Sequence, residues 1–82
     1  ADDWNRGMCV AARAKNKDLV NFFIKKGAKK WNIGMFNAIK AGNKELVELF
    51  IEKGANDWKQ GILIAKDFSY TDIVKLIKNR RK

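Results

Sequence analysis

Apolar positions recur along this chain with the spacing of short amphipathic helices. Each stretch of 27 residues carries two apolar stripes of helical period, and a polar segment such as Asn16-Lys17-Asp18 separates them. In the first stretch, the stripes consist of Met8, Ala11 and Ala12, and then of Leu19, Val20, Phe23 and Ile24. The pattern predicts two short helices in each stretch, and therefore six in the whole chain.

The helix pairs recur in register as three units, residues 1–27, 28–54 and 55–82. Trp4, Trp31 and Trp58 stand at the same position of each unit, and we interpret them as stacking between units rather than as an aromatic groove. The first two units are identical at 15 of 27 positions, and such self-similarity is typical of stacked repeats. The predicted fold is all-α, a single-domain solenoid of three stacked helix-turn-helix units.

Polar residues next to the stripes predict where the helices begin and end. Asn5 and Asn32 are the predicted N-caps of the first helices in units 1 and 2, and Ser69 or Thr71 is predicted to cap the last helix. Gly27 follows the second stripe of unit 1 and is predicted to end that helix in a left-handed conformation.

The third unit is polar at positions where the other two are apolar. It matches the second unit at only 6 of 27 positions, and it carries Lys66 and Lys78 where units 1 and 2 have apolar residues. We interpret unit 3 as a C-terminal cap. Unit 1 has no such replacements, which predicts that the chain is the C-terminal fragment of a longer array. Alternatively, the uncapped first unit stacks on a second copy through surfaces at Met8, Phe22 or Cys9.

Three short segments recur in units 1 and 2 in a fixed order. In unit 1 they are Val10-Ala11-Ala12-Arg13, Asn16-Lys17-Asp18-Leu19-Val20 and Lys26-Gly27-Ala28. Together they resemble the two-helix signature of the ankyrin-repeat family. That family's usual repeat is about 33 residues long, so the resemblance implies that its projecting β-hairpins are reduced or absent here. Short, hairpin-poor repeats of this Gly-Ala-x-Asp-Trp-Asn type resemble those of ankyrin-like proteins of large DNA viruses and some protists.

The residue types that catalysis and metal binding need are nearly missing. The chain has no histidine, and Cys9 is its only cysteine, which excludes the common metal-ligand clusters and the most frequent general base. Carboxylates such as Glu45 and Glu48 stand at helical spacing among lysines, as on solvated helix faces. We expect no enzyme activity, no cofactor and no metal.

Cysteine usage and hydropathy predict a location inside a cell. A single cysteine cannot form an internal disulfide, which fits a reducing compartment. No apolar run approaches the roughly 18–20 residues of a membrane span, so no membrane association is predicted. We expect the cytoplasm or the nucleus, of the host cell if the protein is viral.

Stacked-repeat proteins bind partners through positions that vary while their stacking positions repeat. The ankyrin resemblance implies a protein partner along the row of first helices and the inter-unit loops. The lead hypothesis is a non-enzymatic protein-interaction scaffold, with candidate binding residues Arg6, Arg13, Ile33, Asn37 and Lys40. Phe36, which replaces Cys9 in register, is predicted either to fill the core or to act as an exposed anchor.

Positive charge supports a second hypothesis. The net charge is +9, and it is spread over all three units. Two basic clusters predict binding of nucleic acid or another polyanion: Lys25, Lys26, Lys29 and Lys30, and then Arg80, Arg81 and Lys82. Charge this diffuse favours non-specific attraction over sequence reading. A third hypothesis is a structural spacer in a longer array, with no partner of its own.

Overall fold

Six α-helices of ten residues each occupy the part of the chain that the computed structural model describes, residues 3–80. They are α1 (Trp4–Arg13), α2 (Lys17–Lys26), α3 (Trp31–Lys40), α4 (Lys44–Lys53), α5 (Trp58–Asp67) and α6 (Thr71–Arg80). Residues 3–80 contain no β-strand. The predicted all-α fold of three consecutive helix pairs is confirmed.

The two helices of each unit pack on each other, and consecutive units stack side by side. Between units, α1 packs on α3 and α3 packs on α5, whereas the second helices contact one another less. The contact between units therefore lies mainly along the row of first helices, and we call this row the inner side of the stack.

One core runs through the three units. Its largest fully buried side chains include Met8, Met35, Ile39, Phe50 and Ile77, so every unit contributes to it. No polar or charged residue is buried within the described range. The burial of Met8 corrects one expectation, because a side chain inside the core cannot form part of a self-association surface.

A glycine inside the first helix lets the two helices of units 1 and 2 approach closely. The ring of Phe23 lies over Gly7, and the ring of Phe50 lies over Gly34. A Cβ on these glycines would sit 2.5 Å and 2.6 Å, respectively, from a ring carbon. Neither position has room for a side chain, so the repeated glycine is required by packing and not by a turn.

In unit 3, the side chain that lies against the glycine of the first helix is smaller. Ile77 stands where units 1 and 2 have phenylalanine. A Cβ on Gly61 would meet Cε of Met35 at 3.2 Å and Cδ1 of Ile39 at 3.4 Å. These atoms are the ends of flexible side chains, which can move by a few tenths of an ångström.

Asn5 and Asn32 do not cap the first helices, contrary to the prediction. Helix α1 begins at Trp4, and its N-cap is Asp3, whose side chain accepts a hydrogen bond from the backbone N–H of Arg6 at 2.9 Å. Helix α3 begins one residue before Asn32 and has no side-chain cap.

The two asparagines instead join consecutive units. Oδ1 of Asn5 accepts hydrogen bonds from the backbone N–H groups of Lys29, at 2.8 Å, and Lys30, at 3.0 Å. Asn32 makes the equivalent two bonds, at 2.8 Å and 2.9 Å, to the link between units 2 and 3. Each asparagine therefore fixes the start of the next unit against the first helix of its own unit.

The predictions for two other helix ends have different outcomes. Gly27 follows α2 with a φ of 120°, in the left-handed conformation that was expected. Helix α6 begins at Thr71, and the carbonyl of the preceding residue, Tyr70, accepts a bond from Val74 N–H at 3.1 Å. Tyr70 therefore occupies the N-cap position, and neither Ser69 nor Thr71 does.

The three tryptophans are half-buried against the core. The ring centroid of Trp4 lies 6.2 Å from that of Phe23, and Cδ1 of Trp4 lies beside Gly27. Trp31 lies beside Gly54 of its own unit in the same way. These contacts join the two helices of one unit, and the stacking of the rings between units stays a prediction.

We predict that Gly34→Ala destabilises the protein by about 1–3 kcal/mol, because the new methyl group overlaps the Phe50 ring. Gly61→Ala is the matched control. We expect it to be neutral or stabilising, since alanine exceeds glycine by about 1 kcal/mol in helix propensity and the neighbouring side chains can move. Urea unfolding followed by circular dichroism measures both variants. Equal losses of stability would contradict the role assigned to the ring contact.

Candidate partner-binding surface and basic loop

The exposed side of the first helices forms one surface across the three units. Positions 6, 9, 10 and 13 of each unit share a helix face, because they are three, four or seven residues apart. We call this face the inner surface: Arg6, Cys9, Val10 and Arg13 on α1, Ile33, Phe36, Asn37 and Lys40 on α3, and Gln60, Leu63, Ile64 and Asp67 on α5.

The structure brings the five predicted binding residues together on this surface. Arg6 and Arg13 lie on α1, and Ile33, Asn37 and Lys40 lie on the neighbouring helix α3. All except Asn37 are exposed. The Asn37 side chain is half-buried and donates a hydrogen bond to the Ile33 carbonyl at 2.9 Å, so it also has a structural role.

The inner surface exposes three large apolar side chains, one on each first helix. The exposed fraction is 60% for Val10, 46% for Ile33 and 49% for Leu63, so each first helix presents one large apolar residue to solvent. We call these three residues the apolar row. The hypothesis from the sequence did not include Val10 and Leu63. Where the residue type at a repeat position varies between units, an apolar residue does not show by itself whether it is buried. Phe36 is half-buried against the core and therefore fills space.

Basic side chains flank the apolar row. Arg6, Arg13 and Lys40 are exposed, and no ion pair within residues 3–80 engages them. Asp67, on α5, is the acidic member of the inner surface. The inner surface therefore combines three exposed apolar side chains with mainly positive ones.

A shallow cleft opens between α1 and α3 beside the apolar row. It has a volume of about 290 Å³ and is lined by Asp3, Asn5, Arg6, Cys9, Lys30 and Ile33. Burial raises the pKa of the Cys9 thiol above its ordinary value, although a hydrogen bond with the Asn37 side chain acts to lower it. At neutral pH the thiol is therefore protonated, and Cys9 serves as a small apolar part of the cleft wall.

The first predicted basic cluster lies on one loop. Lys25 and Lys26 end α2, and Lys29 and Lys30 lie in the link to α3; all four are exposed. We call these four residues the basic loop. Asn5 accepts from the backbone of two of them, so the main chain of the link is held in place. Nζ of Lys26 lies 5.5 Å from the centre of the Phe22 ring. No ion pair within the described residues engages the four lysines.

The second predicted basic cluster is not brought to the basic loop. Arg80 ends α6, which packs on α4 and α5, and its Nη2 lies 3.6 Å from Oε2 of Glu48. Arg81 and Lys82 lie outside the described residues. The link between units 2 and 3 carries Asn56 and Asp57 where the basic loop has lysines, so the positive patch is confined to one junction.

Within residues 3–80, no group of three or more His, Cys, Asp or Glu residues could hold a metal ion. No helix of the same range is long and apolar enough to cross a bilayer.

No protein-family model, curated protein or solved structure matches this chain. The stack of helix pairs is a property of the structure itself, whereas the ankyrin resemblance comes from the residues alone. The function must therefore be inferred from the chemistry of the inner surface and the basic loop.

We predict that Cys9 reacts with iodoacetamide along a pH profile whose midpoint lies above that of the same protein unfolded in urea. The thiolate is the reactive species, and burial disfavours it in the folded state. Asn37→Ala should raise the midpoint further, because the lost hydrogen bond lowers the thiol pKa. Coincident midpoints for folded and unfolded protein would show that Cys9 is not desolvated in the cleft.

Proposed function

We propose that this chain is a non-enzymatic protein-interaction module that binds a partner protein along the inner surface. The apolar row is the observation that carries the proposal. Ile33 is the decisive member, because it lies in unit 2, between two neighbouring units, and 46% of it is still exposed. Its exposure is therefore not caused by a missing neighbour in the stack.

The energetics of the apolar row favour a bound partner. Covering apolar surface contributes roughly 25 cal/mol per Å², and Ile33 leaves about half of its surface uncovered. The fold does not need apolar residues there, since Arg6 and Gln60 occupy the same repeat position as Ile33. Protein interfaces commonly have an apolar centre and a polar margin, and they are enriched in arginine.

The charges of the inner surface indicate the chemistry of the partner. Arg6, Arg13 and Lys40 make the α1 and α3 part positive, and Asp67 makes the α5 end negative. A complementary partner presents apolar side chains with acidic residues towards α1 and α3. Such complementarity raises the association rate more than the affinity.

The setting that we propose is intracellular, in the cytoplasm or nucleus. The single cysteine supports this setting, and the resemblance to short ankyrin-like repeats supports a binding role without catalysis. The narrower resemblance, to repeats of large DNA viruses and protists, supports a host-cell location for a viral protein.

We predict that Ile33→Asp or Leu63→Asp lowers capture of the partner at least about ten-fold, as the loss of an interface hot spot does. The experiment is affinity capture from a eukaryotic cell lysate, with proteins identified by mass spectrometry. Phe68→Asp is the matched control, because Phe68 is also an exposed large apolar residue but follows α5, outside the inner surface. A protein captured equally by the wild type and all three variants would contradict binding at the inner surface.

Salt and nuclease separate this function from polyanion binding. A partner held by the apolar row should remain bound at high salt and after nuclease treatment of the lysate. The partner should also protect Cys9 from alkylation, because the thiol lines the cleft beside Ile33. Capture that disappears with salt or nuclease would overturn the protein-partner proposal.

The basic loop supports a second candidate function, binding of nucleic acid or another polyanion. Four exposed lysines lie on a link whose backbone is fixed by Asn5, so binding requires little ordering of the main chain. The inner surface favours the protein partner over this candidate, because phosphate recognition needs no apolar row.

We predict that a variant with Lys25, Lys26, Lys29 and Lys30 changed to Gln loses most affinity for single-stranded DNA. Each lost phosphate contact should also reduce the slope of log K against log salt by about 0.7. The matched control changes four other exposed lysines to Gln: Lys59, Lys66, Lys75 and Lys78. Fluorescence anisotropy with a labelled oligonucleotide measures both. An equal loss in the control would show that net charge, and not the basic loop, causes the binding.

A further inference from the structure

The N-terminal side of unit 1 exposes apolar residues at positions that are covered in the other units. Leu19 is 39% exposed, whereas its counterparts Leu46 and Ile73 are 0% and 2% exposed. Phe22 is also exposed, and its counterparts in units 2 and 3 are half-buried. Units 2 and 3 differ from unit 1 in having a unit packed before them. These positions are therefore the receiving side of the contact between units.

The glycine at position 7 of each unit belongs to the same receiving side. Gly61 approaches Met35 and Ile39, which are residues 8 and 12 of the preceding unit. Gly34 and Gly61 are buried, whereas Gly7 is only half-buried. Apolar side chains at positions 8 and 12 of one unit thus cover the first helix of the next unit.

Ion pairs between consecutive second helices also join each unit to the unit before it. Nζ of Lys17 lies 4.0 Å from Oε2 of Glu45, and Nζ of Lys44 lies 3.8 Å from Oδ2 of Asp72. In both pairs, the lysine at position 17 of one unit meets the acid at position 18 of the next. Asp18 occupies that acidic position in unit 1. Exposed pairs contribute little energy, but a repeated pair selects one register of stacking.

The hydrogen bonds between units set a further requirement for any unit that docks before unit 1. Asn5 and Asn32, at position 5, accept from the backbone N–H groups at positions 2 and 3 of the next unit. In unit 1, Asp3 stands at the position whose counterparts are Lys30 and Asp57. A unit placed before it would need an asparagine at position 5 to make this bond.

We propose that the N-terminal face of unit 1, formed by Gly7, Asp18, Leu19 and Phe22, docks a preceding helix-pair unit of the same repeat type. This unit presents asparagine at position 5, apolar residues at positions 8 and 12, and lysine at position 17. Charge complementarity to Asp18 and continuity with the two unit contacts of the stack select this occupant.

The opposite face of the chain does not have this chemistry. Unit 3 carries Lys59 at position 5, Lys66 at position 12, Thr71 at position 17 and Lys78 at position 24. All four residues are exposed. A second copy stacked head to tail would have to cover Lys66 and Lys78 with the apolar N-terminal face, and burying unpaired ammonium groups is costly.

The test fuses a copy of residues 28–54 directly ahead of Ala1. The copy brings Asn32, Met35, Ile39 and Lys44 to the four required positions, and it keeps the Gly-Ala junction of the natural units. We expect two additional helices by circular dichroism and a single unfolding transition whose Tm rises by about 4 °C or more. The matched control fuses a copy of residues 55–81, which lacks three of the four required residues, and it should give no rise in Tm.

A substitution on the receiving side tests whether a rise in Tm comes from docking at this face. Leu19→Asn should lower the Tm of the fused protein more than that of the original chain, because Leu19 becomes buried only after docking. No additional helix, an equal rise in Tm from both fusions, or an equal effect of Leu19→Asn in both proteins would overturn the proposal. Light scattering of the original chain tests whether a second copy of the chain occupies this face instead. A concentration-dependent dimer that Phe22→Asp abolishes would assign the face to a second copy and also overturn it.

Discussion

The contact between a phenylalanine ring and a helix glycine is the interaction on which the rest of the structure depends. Helices of ten residues are not stable in water alone, so each unit exists only because its two helices pack closely. Phe23 over Gly7 and Phe50 over Gly34 set how closely the two helices pack. That distance, in turn, fixes how each first helix is rotated, and therefore which of its residues point to the inner surface.

Contacts between units then determine the shape of the stack. The first helices pack directly on one another, and Asn5 and Asn32 fix each link at its start. The second helices also carry long ion pairs between exposed groups, such as Lys17 with Glu45, which contribute little. The more extensive contacts between units therefore lie along the first helices. The residues proposed to bind a partner lie on the exposed side of those same helices.

The sequence alone predicts the six helices, but it does not predict the contacts between them. Apolar stripes at helical spacing predict six helices, because that periodicity is a local property. Asn5 and Asn32 were misassigned because an asparagine near a helix start is usually a cap, while its actual partners are 24 and 25 residues away. The sequence does contain an indication that these asparagines link units. Unit 3 makes no such link within the described residues, and it has Lys59 where units 1 and 2 have asparagine. The exposure of Leu63 depends on helix rotation, which a stripe defines only to within a fraction of a turn.

Two exposed apolar groups on this chain have different physical causes, and the repeat itself separates them. Leu19 is exposed in unit 1, but its counterparts in units 2 and 3 are covered, so the absence of a packed unit explains it. Ile33 is exposed although units stack on both of its sides, so stacking cannot explain it. Val10 is exposed in unit 1, whereas its counterparts Asn37 and Ile64 are half-buried, so its exposure follows the pattern of Leu19. Ile33 is therefore the exposed apolar residue that stacking leaves unexplained.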